Sequence, residues 1–139
     1  MPPEELIKTI YLGDRGCKGI YIDFWEQMIK LKIDCISRVR SSSGHWEYYN
    51  DENIDDGYIV FSGVESYKID PMGIFADDFV HGLSIRNIEN DSSDKKVYTF
   101  VFEVGYGTDD LTSKTMEIEI KARDLWLEDS NKPSIRIID

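Results

Sequence analysis

The chain is short of the residues that most often carry chemistry. Of its 139 residues only two are histidine and two are cysteine. His45 and His81 each fall in a loop-like stretch, and no serine stands in a strained, glycine-flanked elbow, so a Ser–His–Asp triad cannot be assembled. There is no "GxxxxGK" run to cradle a phosphate. Basic residues are also scarce, 16 against 27 acidic ones, and they are scattered singly rather than gathered into a patch. The resulting net charge of −11 repels nucleic acid and anionic lipid alike. No apolar run approaches the ~18 residues that span a bilayer. The opening "MPPEELIKTI" carries two acids and one lysine where a leader would be basic and then apolar. The expectation is a cytoplasmic, non-enzymatic protein with no nucleic-acid or membrane partner and no cofactor.

Strand phase separates the two cysteines. In "CKGIYID" Ile20 and Ile22 share one face, and in "MIKLKIDCI" Ile29, Leu31, Ile33 and Cys35 share one face. Joining these faces across a turn near Trp25–Gln27 sets Ile22 opposite Ile29 and Ile20 opposite Leu31. Cys17 then points away from the face that holds Cys35, which reads as a core thiol. Two thiols without a neighbouring histidine also make a poor zinc site.

What is present is a core written with a period of two. Hydrophobic residues make up 41% and aromatic residues 12%, spread along the whole chain in short runs. That suits one domain over 1–139, burying about two-thirds of its unfolded surface. "VYTFVFEV" places Tyr98, Phe100, Phe102 and Val104 on one side, and "TMEIEIKA" does the same with Met116, Ile118, Ile120 and Ala122. "YIVFSGVESYKI" is a longer run broken at Gly63, where a bulge or bend is expected. "GLSIRNIE" is a shorter strand, and "NDSSDKK" and "GYGTDDLTS" are turns. Helix signals are confined to "PPEELIKTIY" and a single turn in "FADDFVHG". The fold class is therefore mainly β: an antiparallel β-sandwich or open barrel of six or more strands, with at most one or two short helices.

The densest chemistry lies in "HWEYYNDENIDDG", residues 45–57, where three rings and a histidine stand beside five carboxylates. Asp51, Asn53 and Asp55 match the first ligands of a calcium loop, but Gly57 comes one position late and Ser62 replaces the closing glutamate, so no metal site is assigned. Carboxylate pairs at Asp55/Asp56, Asp77/Asp78, Asp109/Asp110 and Glu128/Asp129 all sit in turn-like contexts that favour Asp for backbone reasons. Trp46 and Tyr48 read either as the inward face of a hairpin arm or as exposed rings of an interface. Arg38 and Arg40 precede the stretch and are expected to pair with its acids. In "LGDRG" the glycines around Asp14–Arg15 suggest a tight turn, with Arg15 as an alternative anion or partner contact.

The segments "YLGDRGCKGIYID", "IKLKIDCISRVRS" and "GYIVFSGVESYKIDPMG" resemble small acidic bacterial β-rich proteins of unknown function. More distantly, they are similar to immunity proteins of polymorphic toxin systems. The matching pieces are Ile20–Asp23, Ile29–Ile33 and Ile59, Phe61, Gly63 and Val64. Many of those immunity proteins carry a His-Asp pair where this chain has Gly13–Asp14–Arg15. The resemblance implies binding and occlusion of a toxin, without catalytic residues. The expected partner is then a protein, plausibly a basic toxin, met through Trp46, Glu47, Tyr48, Tyr49, Asp51, Glu52, Asp55 and Asp56. The alternative reading is a carbohydrate- or calcium-binding β module.

Overall fold

The computed structural model describes residues 1–44, 52–107 and 114–139. Pro3 and the acids Glu4 and Glu5 open a single helical turn, α1 (Pro3–Leu6), where a missing N–H costs nothing. A 3₁₀ turn, Ile7–Thr9, leads into the short β1 (Ile10–Tyr11). Nine further strands follow among the described residues: β2 (Cys17–Asp23), β3 (Met28–Arg38), β4 (Asn53–Ser62), β5 (Ser66–Asp70), β6 (Val80–Asn90), β7 (Lys96–Tyr106), β8 (Lys114–Ala122), β9 (Asp124–Asp129) and β10 (Arg136–Ile137). They form two antiparallel sheets. In the first, β3, β4, β9 and β10 lie in that order, and β1 and β2 share the free side of β3; the second runs β5–β8–β7–β6. This is the mainly β, sandwich-like architecture that the alternating runs predict.

The predicted register of the first hairpin holds at Ile20 and Ile22 but shifts between Cys17 and Gly19, so Cys17, expected to point away from the core face, packs against the core. Ile22 lies opposite Ile29 and Ile20 opposite Leu31. Between the sheets, Ile29, Leu31, Ile33, Ile59 and Phe61 of the first meet Phe100, Phe102, Ile118 and Ile120 of the second, all buried. Phe61 and Phe100 touch edge to face at 5.1 Å between centroids. Both cysteines are free thiols.

The two sheets are one fabric at a corner. β4 pairs with β9 and its continuation β5 pairs with β8, so a single two-stranded ribbon runs from one sheet into the other. Its bend is at Gly63, the break expected from the sequence, which takes a left-handed φ of 59°. A Cβ there would stand 3.0 Å from Cβ of Arg123 on the facing strand. Arg123 then reaches out to Glu65 at 3.1 Å and to Asp91 in the β6–β7 turn. Asp91 also accepts the Ser93 and Lys95 N–H groups at 2.8 and 3.0 Å. The Lys95 N–H first, then Arg123, with a smaller part from the Ser93 N–H, hold its pKa down to about 2 from 3.8.

Three further local expectations fail, each for a physical reason. Alternation slips along β3: Ile33 and Ile36 are both buried, with Asp34 exposed and Cys35 only half-buried between them. The slip is matched on β4, where Asp56 turns to a φ of 51° and Ile54 joins the core out of phase with Ile59. Gly57 leaves the room for it, because Ile36 Cδ1 and Ile54 Cγ2 fill the place of its absent Cβ. Cys35 is thereby displaced from the core position assigned to it. "FADDFVHG" forms no helical turn, because Phe79 bridges to Gly16 and Val80 donates to the Arg15 carbonyl at 2.7 Å. Arg38 is buried and donates to Thr9 Oγ1 at 2.9 Å instead of meeting an acid. Arg40 does pair as expected, with Glu52 at 2.8 Å.

Two outcomes follow. Gly57→Ala would bring a Cβ within 2.8 Å of Ile36 Cδ1. Chemical denaturation should show a loss of about 1–3 kcal/mol, as for an overpacked core. Asp91 has a folded pKa below its unfolded value, so its stabilisation is present above about pH 3.8 and lost as the pH falls towards about 2. In thermal melts Asp91→Asn should therefore be less stable than wild type at neutral pH, with the gap closing over that window.

Candidate functional site

The acidic stretch from which an interface was expected divides in the structure. Trp46, Glu47, Tyr48, Tyr49 and Asp51 lie outside the described residues, as does Asp109/Asp110. Asn53, Asp55 and Asp56 belong to β4, where Asn53 faces Ser37 and Asp55 faces Cys35. Positions 53–62 are thus paired strand, not the cation loop that the Asp-x-Asn-x-Asp spacing hinted at. Glu52 is held by Arg40, and Asp56 by Lys18 at 2.5 Å. Among the described residues no group of three or more His, Cys, Asp or Glu side chains is placed to hold a metal.

The other carboxylate pairs serve the backbone or an ion pair. Asp77 accepts from the Gly107 N–H at 2.7 Å and Asp78 from the Phe79 N–H at 2.8 Å. Glu128 is buried and accepts from Lys30 at 3.2 Å, while Asp129 accepts from the Asn131 N–H at 2.9 Å. Burial raises the pKa of both the Cys17 and Cys35 thiols, which keeps them from acting as ready nucleophiles. Arg15 is spent inside the fold on Ser37 Oγ at 2.7 Å, which favours the structural reading of "LGDRG".

The feature that stands out is apolar. At the tip of the β2–β3 hairpin, Asp23 Oδ1 accepts the Glu26 N–H at 3.0 Å and Gln27 takes a φ of 54°, closing a tight four-residue loop. Phe24 and Trp25 occupy its outer corners, where no core can reach them, and they are 80% and 92% exposed. The tip is docked to the corner ribbon by the Val64 N–H, which donates to the Gln27 carbonyl at 2.9 Å. Beside it opens a cleft of about 400 Å³ between β2 and β5, lined by Ile22, Phe24, Met28, Val64 and Tyr67 among others.

A separate hollow lies along the same two strands. Cys17 to Ile20 and Ile69 line this second hollow, of about 210 Å³, whose floor reaches Val104, Met116 and Ile118 of the core. Over this hollow hangs the β5–β6 loop, carrying Met72, Ile74 and Phe75, the last 93% exposed. Among the described residues the loop is tied down beyond Ala76, by Asp77, Asp78 and Phe79 bonding to Gly105 and Gly107 of the β7 end. β2 and β5 are thus facing edges that do not meet, with a seam of inward residues between them: Ile20 and Ile22 on one side, Tyr67 and Ile69 on the other.

The rim of the seam is acidic. Asp23 and Glu65 line the first hollow and Lys18 the second, while Glu26 lies in the hairpin loop after Asp23 and Lys68 and Asp70 belong to β5. Lys18 is engaged by Asp56 and Glu65 by Arg123, while Asp23, Glu26 and Asp70 make no ion pair among the described residues.

The family match covers the whole length, residues 1–139. The chain belongs to the Family of unknown function (DUF6258). No curated protein and no solved structure matches this family member. No helix among the described residues is long and apolar enough to cross a membrane.

None of the cleft residues was singled out from the sequence as a site. The available signal was two large rings inside the turn that strand phase had already placed near Trp25, plus apolar Met72, Ile74 and Phe75 among turn formers. If Phe24 and Trp25 are surplus to folding, Phe24→Ser with Trp25→Ser should change stability by no more than about 0.5 kcal/mol per site. The same double variant should lower the binding of an apolar dye such as ANS; a large fall in the melting temperature would instead place these rings in the core.

Proposed function

We propose that this DUF6258 member is a non-enzymatic cytoplasmic binding protein, an immunity-type inhibitor that neutralises a bacterial toxin by occluding its surface. The observation that carries the reading is the set of exposed rings: Phe24, which lines one hollow, its neighbour Trp25, and Phe75, which lines a second hollow reaching the core. Surface aromatics scattered singly need no explanation, but large rings beside a preformed hollow mark a site where something is buried. At 150–250 Å² per ring, three of them offer on the order of 500 Å², or roughly 10 kcal/mol of gross hydrophobic gain. Much of that offsets the lost freedom of association, so charge and hydrogen bonding must add to it. The acidic balance supports a basic partner, whose approach it would speed. The more distant resemblance of residues 11–23, 29–41 and 57–73 to immunity proteins supports a toxin as that partner.

The interface moves with this reading from the 45–57 stretch to the β2–β3 tip and the seam beside it. Glu52 and Asp55 lie at the other end of the first sheet and contribute charge rather than contact, while Asp56 reaches the seam only through its ion pair with Lys18. The test is a matched capture from cells of the source organism, with wild type and the Phe24→Ser/Trp25→Ser variant as baits. The outcome expected is a basic protein held in equal amount by wild type and lost from the variant. Its gene, expressed alone in a heterologous bacterium, should arrest growth, and co-expression of this chain should restore it. A captured protein that is harmless, or that the variant holds equally well, would defeat the reading.

A further inference from the structure

We infer that the seam between β2 and β5 takes an extended segment of the partner protein, apolar on alternate residues and flanked by lysine or arginine, which adds as a strand to the exposed edge of β5. The inference rests on the binding role proposed above and specifies how that role is performed.

Geometry supplies the first argument. β5 pairs with β8 on one side only, and no strand pairs with its other side among the described residues. β2 likewise pairs with β3 alone. An edge strand presents alternate N–H and C=O groups outward, which is both a hazard and a template for another chain. Many proteins blunt such an edge with a proline or a covering element. Here such blunting is confined to Lys68 and to Pro71 just past the end of β5, and the cover is the β5–β6 loop, whose apolar residues are themselves exposed. An incoming strand matching the five residues of β5 spans about 17 Å and can send every second side chain inward. Those side chains would meet Ile20, Ile22, Tyr67 and Ile69 and, lower down, Met116 and Ile118. Strand addition fits such an edge, with main-chain bonds giving affinity and the alternate pockets giving specificity.

Charge names the occupant. Of the rim groups, Asp23, Glu26 and Asp70 make no ion pair among the described residues. A second copy of this chain would bring the same carboxylates and a net charge of −11 to face them, so self-pairing is opposed. A membrane could accept Phe24, Trp25 and Phe75, but its anionic lipids are repelled by the same rim. A protein segment with basic flanks satisfies both the apolar hollow and the acidic border.

The probes are synthetic. One is a capped heptapeptide of alternating valine and threonine with a lysine at each end. The second has the same core with glutamates at the ends, and the third is the lysine peptide N-methylated at alternate residues. Each is titrated into the full wild-type chain and followed by Trp fluorescence and by amide hydrogen exchange. The lysine peptide should bind and slow exchange within residues 66–70. N-methylation, which removes two or three hydrogen bonds and leaves the side chains intact, should weaken binding by about tenfold or more. The glutamate peptide should bind at least about tenfold more weakly at low salt, the difference shrinking as salt rises.

Several results would overturn the inference: binding indifferent to N-methylation, protection appearing elsewhere than on β5, or preferential partition of the chain onto zwitterionic phosphatidylcholine vesicles. Concentration-dependent dimerisation that protects β5 without peptide would do so as well. A further arm separates this failure from failure of the binding role. Ile22→Lys with Tyr67→Lys places charges in the cleft at partly exposed positions, and its fold is checked by circular dichroism. If this variant still holds a toxin partner that Phe24→Ser/Trp25→Ser loses, the binding role stands and strand addition falls. Loss from both variants, together with the N-methyl effect, supports the inference.

Discussion

The structure turns on one bent ribbon. β4 runs into β5 and β8 into β9, paired to each other on both sides of Gly63 and Arg123, so the two sheets are stacked by covalent continuity as well as by packing. The left-handed conformation of Gly63 allows the turn, and Arg123 braces it, clamped by Glu65 and Asp91. Phe61 and Phe100 can then meet across the interior. Most consequences of functional interest follow from where this corner sits. It carries β5 away from β3, whose pairing with β4 ends near Met28, and so leaves a gap that the β2–β3 hairpin borders without closing.

That gap explains why apolar residues are left in water. A closed barrel has no edges, but here β2 and β5 face each other with Ile20, Ile22, Tyr67 and Ile69 between them. The hairpin tip is held against the corner by the Val64–Gln27 bond, so Phe24 and Trp25 are fixed at the mouth rather than free to fold inward. On the proposed reading, the acidic border around the mouth would keep like chains apart and draw a basic one. Pre-organised rings, unpaired edge backbone and complementary charge are the three contributions that a binding protein can offer without moving.

Much of the fold could be read from residue order. The period of two in 98–104 and 116–122 placed the core faces of β7 and β8. The pairing of Ile22 with Ile29 followed from phase alone, and Gly63 was marked as the break. What could not be read depended on contacts distant in sequence. Cys35 leaves the core because Gly57, 22 positions on, makes room for Ile36 and Ile54. Asp77 and Asp78 look like a helical turn until Gly107 and the bridge to Gly16 claim that segment. Arg38 looked like a surface partner for acids, but Thr9 from the N-terminal turn holds it inside.

The site was the least legible feature. Phe24, Trp25 and Phe75 are the kind of residue that a sequence reading assigns to a core, and only the bent ribbon shows that no core is there to receive them. The measurement that bears most directly on the binding account is site-specific photocrosslinking. A benzophenone side chain is placed singly at positions 25, 67, 52 and 55, and each chain is irradiated with the captured partner. The account predicts crosslinks from positions 25 and 67 and none from 52 and 55. Crosslinks confined to 52 and 55 would return the interface to the acidic stretch and contradict it.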